Sequence, residues 1–128
     1  MFSVWDAMEH NAFARIAHTT IASFFKSDPP TFYQVPFGFS ERAALNGHLR
    51  AAVFSSISLE TVKKDLFASS AHAFARGLVE GNPVVAAIRD ARVPADDVIN
   101  AVARALAKEG GDAPFRSTMQ AVVGTARA

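Results

Sequence analysis

The sequence predicts a single α/β domain in which a small three-stranded sheet is packed by four to five helices. Two observations indicate this fold class. Three segments read as strands, residues 1–5, 56–62 and 115–125, because apolar side chains alternate or dominate in them. Apolar residues between them recur at spacings of three and four, the helical period. A chain of 128 residues suffices for one such domain, here 1–128, and is short for two.

The last strand is predicted to form the centre of the sheet. In residues 115–125, Phe115 and Met119 point one way and Val122 the other, and neither face is strongly polar. A strand with two such faces is expected to be covered on both. We therefore predict a small mixed sheet of order first–last–middle, in which the last strand runs antiparallel to its neighbours.

The first strand leads into a predicted helix over residues 11–25. Asp6 and Glu9 have the spacing of a capping box, with aspartate in the usual place of serine or threonine. Pro29 and Pro30 are expected to keep the helix from continuing, because proline has no N–H to donate to it.

An aromatic-rich loop follows at residues 31–39 and contains Phe32, Tyr33, Phe37 and Phe39. Rings at this density are expected to be buried. Either the loop packs across a helix end, or it forms the wall of a ligand pocket, since pockets are mostly apolar and aromatic.

The next elements are a helix and the second strand. Ser40 is the predicted N-cap of a helix over 41–52, and a strand follows at 56–62. The charged run at 63–65 is expected to lead out to solvent.

Three further helices precede the last strand. Ser69 or Ser70 is predicted to cap a short helix, and another short helix follows at 84–89. The clearest helix begins after Pro94, whose missing N–H suits a helix start, and ends at the glycine pair 110–111.

Composition excludes several classes of function. The formal charge is +1 and basic residues are scattered, so a nucleic-acid surface is not expected. No cysteine is present, which excludes disulfides and thiol chemistry. No apolar run approaches the roughly 20 residues of a membrane span, and the N-terminus lacks the pattern of a signal peptide. We expect a cytoplasmic protein without a membrane partner.

Few residues suggest chemistry by themselves. The four histidines show no metal-ligand spacing, and no phosphate-binding or nucleophile motif is present, so no metal site is predicted. His10 follows the first strand, where loops of open α/β sheets line ligand crevices. Arg76 either grips an anionic group or pairs with an acid such as Glu80.

Five segments together resemble the C-terminal half of class I S-adenosylmethionine-dependent methyltransferases of the UbiE-like, type 11 branch. In order and spacing they cover nearly the whole chain. They are residues 2–6, 9–18, 28–39, 74–83 and 119–127.

The resemblance implies a partial Rossmann-like fold. The three predicted strands correspond to the family's fifth, sixth and seventh strands, and the seventh lies antiparallel between the other two. The family usually has glycine where Val53 stands. The glycine loop and the acidic residue that hold S-adenosylmethionine belong to an N-terminal half, to which nothing in this chain corresponds. We therefore expect a chain that does not bind the methyl donor and is inactive alone, although the complete family methylates small molecules.

The resemblance also implies the site residues. What this chain supplies is the substrate side, with His10 as the candidate base. Trp5 is either core or pocket wall, and Asp6 either a helix cap or a substrate contact. The substrate-binding candidates are Trp5, Asp6, Asn11, Tyr33, Phe37, Phe74 and Arg76.

The alternative to a methyltransferase-related function is the hypothesis of a non-enzymatic module for binding or assembly, with an aromatic-lined ligand pocket. If residues 1–5 form a bare sheet edge, its unpaired backbone groups invite another strand. This hypothesis predicts a homodimer, joined either through residues 1–5 or by exchanged elements.

Overall fold

Five α-helices and three β-strands make up the fold in the computed structural model, which describes residues 1–128. Single 3₁₀ turns lie at Met8–His10 and Phe32–Gln34. In chain order the elements are β1 (Phe2–Trp5), α1 (Ala12–Ala22), α2 (Arg42–Ala51), β2 (Ser56–Ala68), α3 (Ala71–Glu80), α4 (Val84–Asp90), α5 (Ala95–Gly110) and β3 (Phe115–Arg127).

The sheet has the order β1-β3-β2, which confirms that the last strand is central. Phe2 lies opposite Gly124 at one end of the β1–β3 pair, and both pairs are antiparallel. β2 pairs with β3 along its whole length, with Ala68 opposite Phe115. β1 and β2 therefore run in the same direction without touching, as predicted, but both neighbouring pairs are antiparallel, so the sheet is antiparallel and not mixed.

β2 is longer than predicted, because residues 63–65 continue the strand instead of leading into solvent. Lys63 lies opposite Gln120 and Lys64 opposite Met119 in the register with β3. Their exposed side chains suit an edge strand, which carries charges without burying them.

The predicted capping box at Asp6 is wrong. A 3₁₀ turn follows β1, and α1 begins only at Ala12. The carboxylate of Asp6 is bonded to the adjacent Ala7 N–H (2.9 Å) and to Gln120 of β3 (2.8 Å), so it is not a helix cap.

Two other predicted caps have different outcomes. Glu41, not Ser40, caps α2: its carboxylate accepts bonds of 2.9 and 2.6 Å from the first-turn N–H groups. A carboxylate suits this place because the helix N-terminus is electropositive. Ser70 caps α3 as predicted, accepting a bond of 2.9 Å from the N–H of Ala73.

The main core lies between one face of the sheet and helices α1, α3 and α5. The apolar residues of α5 from Val98 to Leu106 recur at the helical period and are fully buried, and Phe115 of β3 joins the same core. None of the helices combines the length and apolarity that crossing a bilayer requires.

α2 covers the opposite face of the sheet. Val122 and Thr61 share that face because they are directly opposed in the β2–β3 register. Arg42 of α2 donates a hydrogen bond to the Thr61 hydroxyl, and Leu45 of the same helix is buried outside the main core. This face of β3 is covered only around Val122, since Arg116 on the same face is exposed. The prediction that both faces of β3 are covered is therefore confirmed only in part.

Candidate ligand-binding cleft

An apolar cleft of about 330 Å³ opens on the core face of the sheet. We call it the aromatic cleft. The aromatic loop at residues 31–39 forms one side of it, and α1 and α3 form the other. Its lining residues are Trp5, Phe13, Phe32, Tyr33, Pro36, Phe37, Leu66, Phe74, Leu78, Asn82 and Met119.

The aromatic loop packs across a helix end and also lines a cavity, which are the two alternatives that its sequence left open. Tyr33 and Phe37 are only 4% and 6% exposed, and both line the cleft. The Tyr33 hydroxyl donates a bond of 2.7 Å to the carbonyl of Leu78 near the end of α3. The loop thus packs across a helix end and walls a cavity at the same time.

The rings of the cleft contact one another in an ordered series. Trp5 is stacked on Phe37 with centroids 5.3 Å apart, and Phe13 meets both rings edge-on at about 6 Å. Phe74 meets Phe13 edge-on at 5.8 Å and is stacked on Phe115 at 5.2 Å. Such pairs add about 0.5–1.5 kcal/mol each beyond their buried area, so the wall is held in a defined shape.

Tyr33 is a structural residue of the cleft and does not act as an acid or base at neutral pH. Burial raises the pKa of Tyr33 to about 12, although the neighbouring Asn82 side chain opposes part of the shift. Asn82 also donates a bond of 2.9 Å from Nδ2 to the Leu78 carbonyl. Tyr33 and Asn82 therefore both donate to the carbonyl of Leu78, a residue that lines the cleft.

Asp6 does not line the cleft, and its carboxylate contacts Gln120 of β3 and Arg42 of α2. Its carboxylate is 5% exposed and accepts its 2.8 Å bond from Gln120 Nε2, with the Arg42 guanidinium 3.9 Å away. Burial raises the pKa of Asp6, but these bonds and the charges of His10 and Arg42 outweigh it. The pKa of Asp6 therefore lies below its ordinary value, and the ionised carboxylate links the turn after β1 to β3.

Asn11 is fully buried, and its amide binds backbone groups of the protein. Nδ2 donates to the carbonyls of Gln120 (3.0 Å) and Asp6 (3.1 Å), and Oδ1 accepts from the Gln120 N–H (2.9 Å). We therefore assign Asn11 to the anchoring of α1 on the sheet.

His10 and Arg76 are exposed and do not line the cleft. His10 lies on the 3₁₀ turn after β1, near Asp6. Arg76 lies 3.3 Å from Glu80 one turn along α3, which confirms the ion-pair alternative for this residue.

Four of the eight candidates therefore come together in one cavity: Trp5, Tyr33, Phe37 and Phe74. Several lining residues have no signal of their own in the sequence. Leu66 lies past the predicted end of its strand, and Asn82 sits in a Gly-Asn-Pro sequence that indicates only a helix break.

The composition of the cleft is suited to binding an apolar molecule. None of its lining side chains is charged. No group of three or more histidine, aspartate or glutamate side chains is placed to hold a metal ion.

A second groove of about 500 Å³ runs along β1 and shares Trp5 and Pro36 with the cleft. Trp5 is 37% exposed, and the neighbouring Val35 and Phe39 are 75% and 50% exposed. β1 pairs with β3 on one side only, so its other edge is open. We call the open edge of β1, together with the exposed side chains of Trp5, Val35 and Phe39, the β1 edge patch.

No protein-family model matches the sequence, and a comparison with curated proteins finds no match.

Proposed function

We propose that this chain binds a small, uncharged apolar molecule in the aromatic cleft, as the substrate side of a methyltransferase-like fold. The observation that carries the proposal is the convergence of Trp5, Tyr33, Phe37 and Phe74. These residues come from β1, the aromatic loop and α3, and they line one cavity with no charged group. A cavity of this volume and composition is typical of small-molecule sites.

Binding is tested with Nile red, an uncharged dye whose fluorescence rises in apolar sites. The natural chain should bind it with saturation at one site. Met119→Trp, which fills the cleft without leaving a hole, should weaken binding at least tenfold. Phe67→Ala is the control, because Phe67 lies on the exposed side of β2 and is stacked only by Arg116.

The dye experiment distinguishes binding in the aromatic cleft from nonspecific binding to exposed apolar surface. Equal binding by the natural chain and Met119→Trp would mean that the dye sits elsewhere, and the proposal would then fail. Folding of each variant is checked by circular dichroism, so that loss of binding is not confused with loss of structure.

Methyl transfer is the chemistry proposed for a complete enzyme. The order β1-β3-β2, with the last strand antiparallel in the middle, supports it because the resemblance implies the same order. This chain would hold the acceptor, and catalysis would come largely from positioning. His10, on the turn after β1, is the proposed base for an acceptor that reaches beyond the cleft.

The donor site is proposed to be missing from this chain. Calorimetry with S-adenosylmethionine should give no binding heat. Micromolar binding would show that the chain holds the donor by itself and would overturn this part of the proposal. We further propose a cytoplasmic location, in keeping with a chain that has no cysteine.

The β1 edge patch favours a second candidate function, a homodimer in which two β1 strands pair. Antiparallel pairing makes alternate residues face the neighbour, so Phe2 and Val4 bond to β3 and the backbone of Ser3 points outward. Exposed apolar side chains flank this open edge. Edge pairing would satisfy the free backbone groups and cover the patch.

The dimer is tested by sedimentation at rising concentration. Ser3→Pro removes an outward donor and leaves the bonds to β3, so it should convert a dimer to a monomer. A natural chain that stays monomeric at several hundred micromolar would contradict the dimer.

A further inference from the structure

We infer that Asn82 selects the ligand of the aromatic cleft, favouring an uncharged ring compound that carries an O–H or N–H donor. The inference rests on the proposed function, since it names the chemical class that the cleft prefers. It starts from the one amide among otherwise largely apolar lining residues.

The orientation of the Asn82 amide is set by its partner. The Leu78 carbonyl can only accept hydrogen bonds, so the amide group that faces it must be the NH₂. The oxygen, Oδ1, is therefore turned away from Leu78, and no hydrogen bond of the protein reaches it. A ligand that lies against this amide meets an acceptor.

Tyr33 is not suited to this role because of its burial, although a hydroxyl oxygen can accept hydrogen bonds. Tyr33 donates its hydroxyl proton to Leu78 at 2.7 Å, and its side chain is almost fully buried. The carbonyl has two lone pairs, and Tyr33 and Asn82 occupy both. If either donor turned towards a ligand, the Leu78 carbonyl would lose one of its two hydrogen bonds.

Asn82 is also held in place by its backbone. It lies between α3 and α4, and its carbonyl accepts a bond of 3.1 Å from the N–H of Val85 in the first turn of α4. Its side chain is half-buried at the rim of the cleft. The Asn82 amide is thus held in the wall of a largely apolar cavity, with Oδ1 as the acceptor that we infer a ligand meets.

The ligand class follows from these positions. A bound ring without a donor shields Oδ1 from solvent and leaves this acceptor without a hydrogen bond, which costs free energy. A ring with a donor replaces that water. An ionised ligand meets no charged lining group and loses its own hydration, so it is disfavoured. We expect a donor to improve affinity about fivefold to tenfold.

The experiment compares 2-naphthol with 2-methoxynaphthalene, which has the same rings and no donor. Amide spectra of the ¹⁵N-labelled chain are recorded during each titration. We expect 2-naphthol to bind about fivefold to tenfold tighter and to shift the Asn82 side-chain signals. In Asn82→Leu, which keeps the size and removes the acceptor, this ratio should fall to about one.

Each outcome decides something different. If neither compound binds, the proposed function fails and the inference falls with it. If both bind in the cleft and the affinity ratio is unchanged in Asn82→Leu, the cleft stands and the role of Asn82 is wrong. Should Asn82→Leu not fold, equal affinities and an unmoved Asn82 signal in the natural chain would overturn the inference alone.

Discussion

The side chain of Asn11 pairs with the backbone of Gln120 as a neighbouring strand would. Its amide donates to the Gln120 carbonyl at 3.0 Å and accepts from the Gln120 N–H at 2.9 Å. A residue just before α1 thereby continues the pairing of β3 beyond the end of β1. This contact joins the helical layer to the centre of the sheet.

Asn11→Ala should therefore lower the free energy of unfolding by about 2–3 kcal/mol, because it leaves buried backbone groups without partners. Urea unfolding measures the change. Asn100→Ala is the matched control, since Asn100 is exposed on α5 and should change stability by less than about 0.5 kcal/mol. A loss in Asn11→Ala no larger than in the control would show that the pairing adds little.

Asp6→Asn should destabilise the protein in a pH-dependent way. The folded pKa of Asp6 is lowered, so its ionisation stabilises the fold above the unfolded value of about 4. This contribution is lost as the pH falls through the folded pKa. The unfolding free energies of Asp6→Asn and the natural protein should differ clearly at pH 6.5 and little at pH 2.5. An equal difference at both values would contradict the assignment.

Val53→Gly should stabilise the protein by about 0.5–1 kcal/mol. Val53 has a φ of 66° just after α2, where a β-branched residue is strained and glycine is not. The last turn of α2 closes there with bonds from the N–H of Val53 to Arg50 and of Phe54 to Leu49. Thermal unfolding measures the gain. Val53→Ala keeps a β-carbon and should recover less of it.

Gly110→Ala and Gly47→Ala should change stability in opposite directions. A β-carbon on Gly110 would overlap the backbone oxygen of Arg116, whereas one on Gly47 meets no atom within 4 Å. We expect a loss of about 1–3 kcal/mol at Gly110 and a gain of about 0.5–1 kcal/mol at Gly47, since alanine favours helix. Both values come from chemical denaturation, and similar signs at the two positions would refute the packing of α5 on β3.

Local patterns predicted the elements whose signals lie within a few residues. α5 is the clearest case, because a proline start, an apolar stripe and a glycine end all fall inside one stretch of sequence. The sequence predicts that β2 ends at residue 62, because Lys63 and Lys64 are typical of a loop when their pairing with β3 is unknown.

The site was predictable only in part for a similar reason. The rings of Trp5, Tyr33, Phe37 and Phe74 are conspicuous in sequence, and the structure brings them together. Asp6 takes its partner from Gln120, which lies 114 residues away, so a helix cap was the nearer but wrong interpretation. Distant contacts of this kind are decided by the tertiary fold.

Because β1 and β2 each pair with β3 alone, neither strand has a partner until the ribosome has delivered residues 115–127. At about 5–20 residues per second, the nascent chain carries two lone strands for several seconds. The sheet can therefore form only after residues 115–127 have been made, and until then chaperones have a window in which to hold the unfinished polypeptide. A premature stop codon before residue 115 would leave helices and two orphan strands, a natural target for proteolysis.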